Sequence, residues 1–199
     1  WIFKLRYKIY VEEMGRFQKH ADHQQKILRE PYDDSGVLLG VYSDTAAIAT
    51  IRYNWLSDPA MRDYVDLYGL TCVPNADRAR SVIVTKLMCD RRYRNTGVLK
   101  DILLAVFEDG LRAGAAFAYM DTNLPLVPLF EKFGWEWRDK AVVDHPEYGE
   151  VALMQLSMLN YSLLESRSSP FCSILNTYNG TDRFSSVPPV FQEKTMNQF

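Results

Sequence analysis

Ser81-Val82-Ile83-Val84-Thr85-Lys86-Leu87-Met88-Cys89-Asp90-Arg91-Arg92-Tyr93-Arg94-Asn95-Thr96-Gly97-Val98-Leu99 carries most of the fold assignment. Ser81 to Cys89 is rich in β-branched residues and reads as a central strand. A basic turn holding Gly97 follows. After it, Val98, Ile102, Val106 and Phe107, with Leu99 and Leu103, make the inner face of a helix that ends near Gly110 or Gly114. A strand running through a Gly-containing turn into a helix N-terminus presents unpaired backbone N–H groups and the positive end of the helix dipole, which together suit a phosphate or pyrophosphate. Arg91, Arg92, Arg94 and Lys100 add positive potential. The alternative is a solvated basic turn that binds nothing.

Outward from this unit, helix and strand patterns alternate. Phe3, Tyr7, Tyr10, Val11 and Met14 have the spacing of a helix that stops at Gly15, and a polar stretch then runs to Asp34. Val37–Val41 and Ala46–Tyr53 read as a hairpin closed by Ser43-Asp44-Thr45. Ser57-Asp58-Pro59 opens a second helix with Ser57 as its cap. Ala115–Asp121 is the next strand, Leu126–Phe133 a short helix stopped by Gly134, and Trp135–Val143 pairs with Val151–Met158. This order describes an α/β sandwich with a mixed sheet flanked by helices. Beyond about Asn160 the chain turns to Ser, Asn, Thr and Pro, with too few bulky groups (Phe171, Ile174, Leu175, Tyr178, Phe184, Phe191) for a second core. The expected organisation is a domain over 1–159 and an irregular or partly helical extension over 160–199 docked on it.

Composition narrows the function. The chain is 47% hydrophobic and 13% aromatic, as a folded globular protein is, and its net charge of -2 carries no overall basic bias for non-specific nucleic-acid binding. Cys72, Cys89 and Cys172 are odd in number and far apart, which signals neither a disulfide framework nor a zinc site. His20 and His23 with Asp22 have helical ligand spacing but lack a third ligand, so a polar loop is the better reading and no metal is expected. No run of about 18 apolar residues is present to span a bilayer, and the opening Trp1-Ile2-Phe3-Lys4 lacks the layout of a signal peptide, so a cytoplasmic protein with reduced thiols is expected.

The turn and its helix resemble the GNAT (GCN5-related N-acyltransferase) family. Arg94-Asn95-Thr96-Gly97-Val98-Leu99 matches the first four positions of that family's Arg/Gln-x-x-Gly-x-Gly/Ala pattern, and Leu99 departs from the last. The segment from Asn123 through Leu129-Phe130-Glu131-Lys132-Phe133-Gly134-Trp135 resembles the family's Asn-to-Leu-Tyr-Glu-Lys-x-Gly-Phe stretch. Phe130 stands where many members place a Tyr that protonates the departing thiolate, and Phe has no proton to give. The resemblance implies an acyl-CoA or acyl-phosphopantetheine donor held by Arg92, Arg94, Asn95, Thr96, Gly97 and Val98, by the strand residues Leu87, Met88 and Cys89, and by Asn123.

Leu5-Arg6-Tyr7-Lys8-Ile9-Tyr10-Val11-Glu12-Glu13, Tyr32-Asp33-Asp34, Ala49-Thr50-Ile51-Arg52 and Thr85-Lys86-Leu87 resemble a narrower branch, the acyl-homoserine-lactone synthases and long-chain N-acyl amino acid synthases. That branch implies a fatty acyl donor, commonly delivered by acyl carrier protein, and an amine acceptor on an amino acid or peptide. Ile83 occupies the position where the branch often has Glu. The reaction needs a general base for the amine, N–H donors for the oxyanion, and room for the chain. Leu87–Cys89 supply the donors if their strand splays from its neighbour. Asp34 is the first choice of base, then Asp33, Glu13 and Glu12, and no nucleophile is required of Cys89. Arg52, a charge on an apolar strand, is expected to pair with Asp33 or Asp34 or to hold an acceptor carboxylate, and Phe130 to line the substrate site. The leading reading is an N-acyltransferase moving a medium or long acyl chain. Its alternatives are a homoserine-lactone synthase using S-adenosylmethionine, against which Ile83 and the absent Trp after the first helix argue, and a non-catalytic module that binds carrier protein or an acyl thioester.

Overall fold

A computed structural model describes residues 1–44 and 46–180. Among the described residues, eight strands form two sheets. β1 (Ala21–Asp22) and β2 (Ile27–Leu28) make a small hairpin in the stretch expected to be a polar loop. The main sheet has the order β3 (Val37–Ser43), β4 (Ala46–Trp55), β5 (Ser81–Cys89), β6 (Phe117–Asn123), β8 (Gly149–Ser157), β7 (Glu136–His145). It is antiparallel except between β5 and β6, which run parallel because α4 (Val98–Arg112) crosses over between them.

Period-2 alternation sorts the strand residues onto the two faces. Ala49, Ile51 and Tyr53 of β4 and Val82 and Val84 of β5 pack with Ile102, Leu103, Val106 and Phe107 of α4 in the largest core cluster. Ile83 faces the other way, against Met61 and against Tyr64 and Val65 of the helix α2 (Arg62–Leu67). Thr50, Arg52 and Asn54 share that second face and are fully buried, so a charge is carried into the interior by β4 itself. α1 (Ile2–Tyr7) covers this region through Leu5, which with Ile9 packs on Ala47 and Met88.

Several elements depart from the sequence reading. The first helix loses α geometry after Tyr7: Lys8–Glu13 is a π-helix, in which Met14 N–H donates to Ile9 C=O (3.0 Å). Gly15 then closes it in the left-handed conformation (φ +62°), and Arg16 N–H reaches back to Tyr10 C=O (2.9 Å). The second helix is capped by Asp58, whose side chain accepts from Ala60 N–H (2.9 Å), and not by Ser57. A short helix over Asn75–Arg78, α3, was not foreseen. The other segments fall within about two residues of expectation, the short α5 spanning Val127–Lys132.

After Asn160, which caps α6 (Tyr161–Ser166) by accepting from Leu163 N–H, α7 (Phe171–Gly180) lies on the body of the domain. Phe171 is buried, its ring stacked on that of Phe107 with centroids 4.0 Å apart. Phe184 and Phe191 lie outside the described residues.

Candidate active site

β5 and β6 part company halfway along. Their pairing covers Ser81, Val82 and Ile83 opposite Phe117, Ala118 and Tyr119 and goes no further, although β5 continues to Cys89 and β6 to Asn123. β5 stays on β4, with Met88 opposite Thr50 and Cys89 opposite Ala49. Between Thr85 and Met88 it advances three residues while β4 advances two, from Arg52 to Thr50. This bulge puts Lys86 in the left-handed region (φ +56°) and bends the strand away from β6. The gap is a cavity of about 410 Å³, within the size range of small-ligand sites. Its apolar wall includes Ile9, Val84, Leu87, Met120, Leu129 and Phe130. A smaller void of about 20 Å³ lies under α4, and Val84 lines both.

One end of the cavity is the basic turn. Gly97 is the N-cap of α4 at φ +93°, a conformation that favours glycine, and no side chain caps the helix. A Cβ on Gly97 would meet nothing within 4 Å, so the space beside the start of this 15-residue helix is open and no side chain takes its first N–H groups. Asp90 anchors the turn from beneath: nearly buried, it accepts from Arg92 N–H (3.0 Å), Arg92 Nε and Nη2 (3.1 and 3.0 Å) and Lys8 Nζ (2.6 Å). Arg92's hydrogen bonds, outweighing burial, hold the Asp90 carboxyl far below the usual range. Arg92 is thereby committed to the turn itself, as is the Thr96 hydroxyl, which donates to Tyr93 C=O (2.6 Å). Arg94 does line the cavity, steadied by Cys89 C=O (3.1 Å) and Glu13 (3.6 Å). Asn95 stands at φ +69° beside it, and Val98 is half-buried at the helix start.

Leu87, Met88, Cys89, Asn123 and Phe130 all line the cavity. Asp90 N–H donates to Ile48 C=O on β4 (2.8 Å), so alternation along β5 turns the Cys89 N–H to the unpaired side. Burial pushes the Cys89 thiol up, and Arg94 offsets part of that effect.

None of the four carboxylates expected as bases lines the cavity, and Glu12 pairs with Lys26 (2.9 Å). Asp34 is exposed and paired with Arg29 (2.6 Å), away from the cavity. Asp33 is buried with both oxygens engaged: Arg6 Nη1 (2.7 Å) and Arg52 Nη1 (2.8 Å) donate to Oδ1, and Glu30 N–H donates to Oδ2 (2.7 Å). Glu13 sits between Lys8 and Arg94. Arg52 pairs with Asp33, as expected, and also with Glu30 (2.9 Å), while its Nε donates to Thr85 (3.1 Å). The Arg52 side chain is fully buried and does not line the cavity, and its Nη2 has no hydrogen-bond partner. Glu30 links this cluster to the cavity through Lys86 (2.6 Å). Burial raises the Glu30 and Asp33 carboxyls, and the neighbouring cations more than reverse the effect, leaving both below their ordinary values.

The carboxylate that lines the cavity is Asp121 on β6, one of whose oxygens accepts from the buried Tyr68 hydroxyl. Opposite it, Lys86 Nζ donates to Tyr148 Oη (2.6 Å) and lies over the rings of Tyr10 and Tyr148. His145 stacks on Tyr148 at 4.2 Å, and its Nδ1 accepts from Glu147 N–H (3.1 Å), so the neutral ring carries its proton on Nε2. Burial lowers the His145 pKa and raises that of the Tyr148 phenol. The sequence signals none of these roles: Asp121 looks like the end of a strand, and Tyr148 belongs to a hairpin turn.

No family model matches the chain, and no curated protein matches its sequence. Solved structures match its fold. The CoA-dependent acyl-homoserine lactone synthase BjaI, with SAM and isopentyl-CoA, superposes with a TM-score of 0.63 at 18% identity over 84% of this chain and 81% of that one. FeeM, an N-acyl amino acid synthase from uncultured soil microbes, gives 0.62 at 11% identity over 84% and 87%. A putative N-acetyltransferase from Lactobacillus plantarum gives 0.54 at 19% over 79% and 89%. The chain therefore has the GNAT acyltransferase fold.

Proposed function

We propose that this protein is an N-acyltransferase that moves an acyl group from a phosphopantetheine thioester to an amine. The observation that carries the reading is the parting of β5 and β6 after Ile83 and Tyr119, with an open helix N-terminus at the mouth of the gap. The phosphates lie at Gly97 and Arg94, the pantetheine arm runs along Leu87–Cys89, and the acyl chain follows the apolar wall past Val84. The donor is defined by phosphopantetheine, common to coenzyme A and acyl carrier protein.

Asp121 takes the role first assigned to Asp34, because it is the carboxylate on the cavity wall. The acceptor ammonium gives a proton to Asp121, and the neutral nitrogen attacks the thioester carbon. The Cys89 N–H donates to the oxyanion that forms. Collapse breaks the carbon–sulfur bond, the attached nitrogen loses its second proton, which the departing thiolate takes up, and the products are an amide and a thiol, with Asp121 returning its proton to solvent. A thiol of pKa about 8.5 leaves without a strong acid, consistent with Phe130 where many related enzymes have Tyr.

The test is incubation with acyl thioesters of graded length, on coenzyme A and on carrier protein, with a pool of amine acceptors. Mass spectrometry should find a new amide and thiol release that depends on the amine. Thioester binding without amide across the pool would overturn the reading in favour of a non-catalytic binding module.

A further inference from the structure

Around the cavity the carboxylates are neutralised, with one exception. Asp33, Glu30, Glu13, Asp90 and Glu147 each stand beside an arginine or a lysine. Among the described residues no cation lies within ion-pair distance of Asp121, and the side-chain hydrogen bond it receives comes from the Tyr68 hydroxyl to Oδ1. Tyr68 caps the C-terminal end of α2 and is buried in the cluster that holds Met61, Tyr64, Val65, Ile83 and Leu153. Two contacts fix its position. Its ring meets that of Tyr64 edge-on with centroids 5.7 Å apart, and Arg138 Nη1 from β7 donates to its C=O (2.8 Å). Burial first, and then the charge on Asp121, pushes the phenol pKa well up, so the hydroxyl keeps its proton and directs it at Oδ1. Tyr68 itself does not line the cavity.

Resting on the reading of Asp121 as the base, we infer that Tyr68 is its positioning residue: the phenol holds Oδ1 and thereby keeps Oδ2 turned to the cavity, where the acceptor ammonium arrives. The last torsion of an aspartate side chain is broad and sets no orientation of its own. Asp121 is only half-buried, so without this bond its oxygens would exchange places and share the cavity with solvent. Proton transfer loses rate steeply when the accepting atom is displaced. The choice of anchor matters as well. A lysine or arginine would hold the carboxylate more firmly but would favour its charged form and weaken it as a base, whereas a neutral hydroxyl orients it at a smaller cost in basicity. Tyr68 touches neither donor nor acceptor and acts through Asp121 alone.

A double-mutant cycle on turnover tests this. Tyr68→Phe deletes the hydroxyl and leaves the ring in its core, and it is compared with Asp121→Asn and with the two changes together. Rates of amide formation are measured with saturated acyl thioesters of coenzyme A from butanoyl to hexadecanoyl and a mixture of amine acceptors, and are referred to the folded fraction seen by circular dichroism. Tyr68→Phe should lower kcat by roughly 10- to 100-fold, the worth of a hydrogen bond to a charged group, with the KM for the thioester unchanged. In the Asp121→Asn background the same change should cost nothing further, because there is no base left to orient. A general structural role predicts instead an equal loss in both backgrounds. That equal loss, or a Tyr68→Phe protein as fast as wild type, would overturn the inference while leaving Asp121 as the base. An Asp121→Asn protein as fast as wild type would remove the base and the inference together, and absence of amide from every pair would sink the acyl-transfer reading along with both.

Discussion

Replacing Arg52 with methionine removes the hub of the buried ion cluster while keeping an unbranched side chain in the space. The substitution deletes the bonds to Asp33 (2.8 Å), Glu30 (2.9 Å) and Thr85 (3.1 Å). Breaking a buried pair from one side costs about 3–5 kcal/mol, because the remaining charge stays desolvated. Here each carboxylate keeps one cation, Asp33 with Arg6 at 2.7 Å and Glu30 with Lys86 at 2.6 Å, so the low end, about 3 kcal/mol, is expected. That is a large share of a typical 5–15 kcal/mol and lowers the melting temperature by roughly 6–12 °C in a chain of this size. The effect also has a pH signature. Both carboxyls sit below their ordinary values in the folded protein, so the stability they confer is present above about pH 4 and is lost as pH falls through the folded values. The gap between wild type and Arg52→Met is therefore widest near pH 7 and shrinks in acid. Urea unfolding followed by tryptophan fluorescence at a series of pH values measures it. A difference under about 1 kcal/mol at pH 7, or one that does not change on acidification, would refute this account of the cluster.

Five other substitutions probe the cavity and its support. Asp121→Asn should reduce amide formation by about 10²–10⁴-fold with unchanged donor affinity, whereas Asp34→Asn, at an exposed pair with Arg29, should leave the rate alone; equal effects would remove Asp121 as the base. Gly97→Trp should weaken coenzyme A binding at least tenfold by occupying the space before the helix N-terminus, and the positive φ adds about 1–3 kcal/mol of strain visible in the melting curve. Val84→Ala should join the two voids and shift the preferred acyl chain to a longer one in competition between thioesters; an unaltered preference would place the chain elsewhere. Phe171→Ala should cost about 3–5 kcal/mol in chemical denaturation through loss of the stack on Phe107, and a near-neutral result would mean that α7 contributes little to the domain.

The strand–turn–helix unit was legible because its signals are local. β-branched residues fix the extended run of β5, a left-handed Gly97 opens the helix, and the apolar spacing from Val98 onward gives its inner face. Arg52 was legible too, since a charge on an apolar strand demands partners, and Asp33 is one of them. Which of Asp33 and Asp34 would be that partner was left open by the sequence. In the single turn of 3-10 helix over Pro31–Asp33, adjacent residues point in different directions, and only the packing of Arg6 and Arg52 determines which carboxylate turns inward.

What the chain's pattern determined alone is the alternation of elements, the open helix N-terminus and the two faces of the sheet, because each depends on neighbours within a few residues. The tertiary structure decided which side chains meet in the cavity. Arg16, Lys86, Asp121 and Tyr148 come from four separate segments, and they converge because of a π-helix, a one-residue bulge and the point where two parallel strands separate. Each of those is a departure from regular geometry, set by long-range packing and hydrogen bonding, so no periodicity in the sequence announces it.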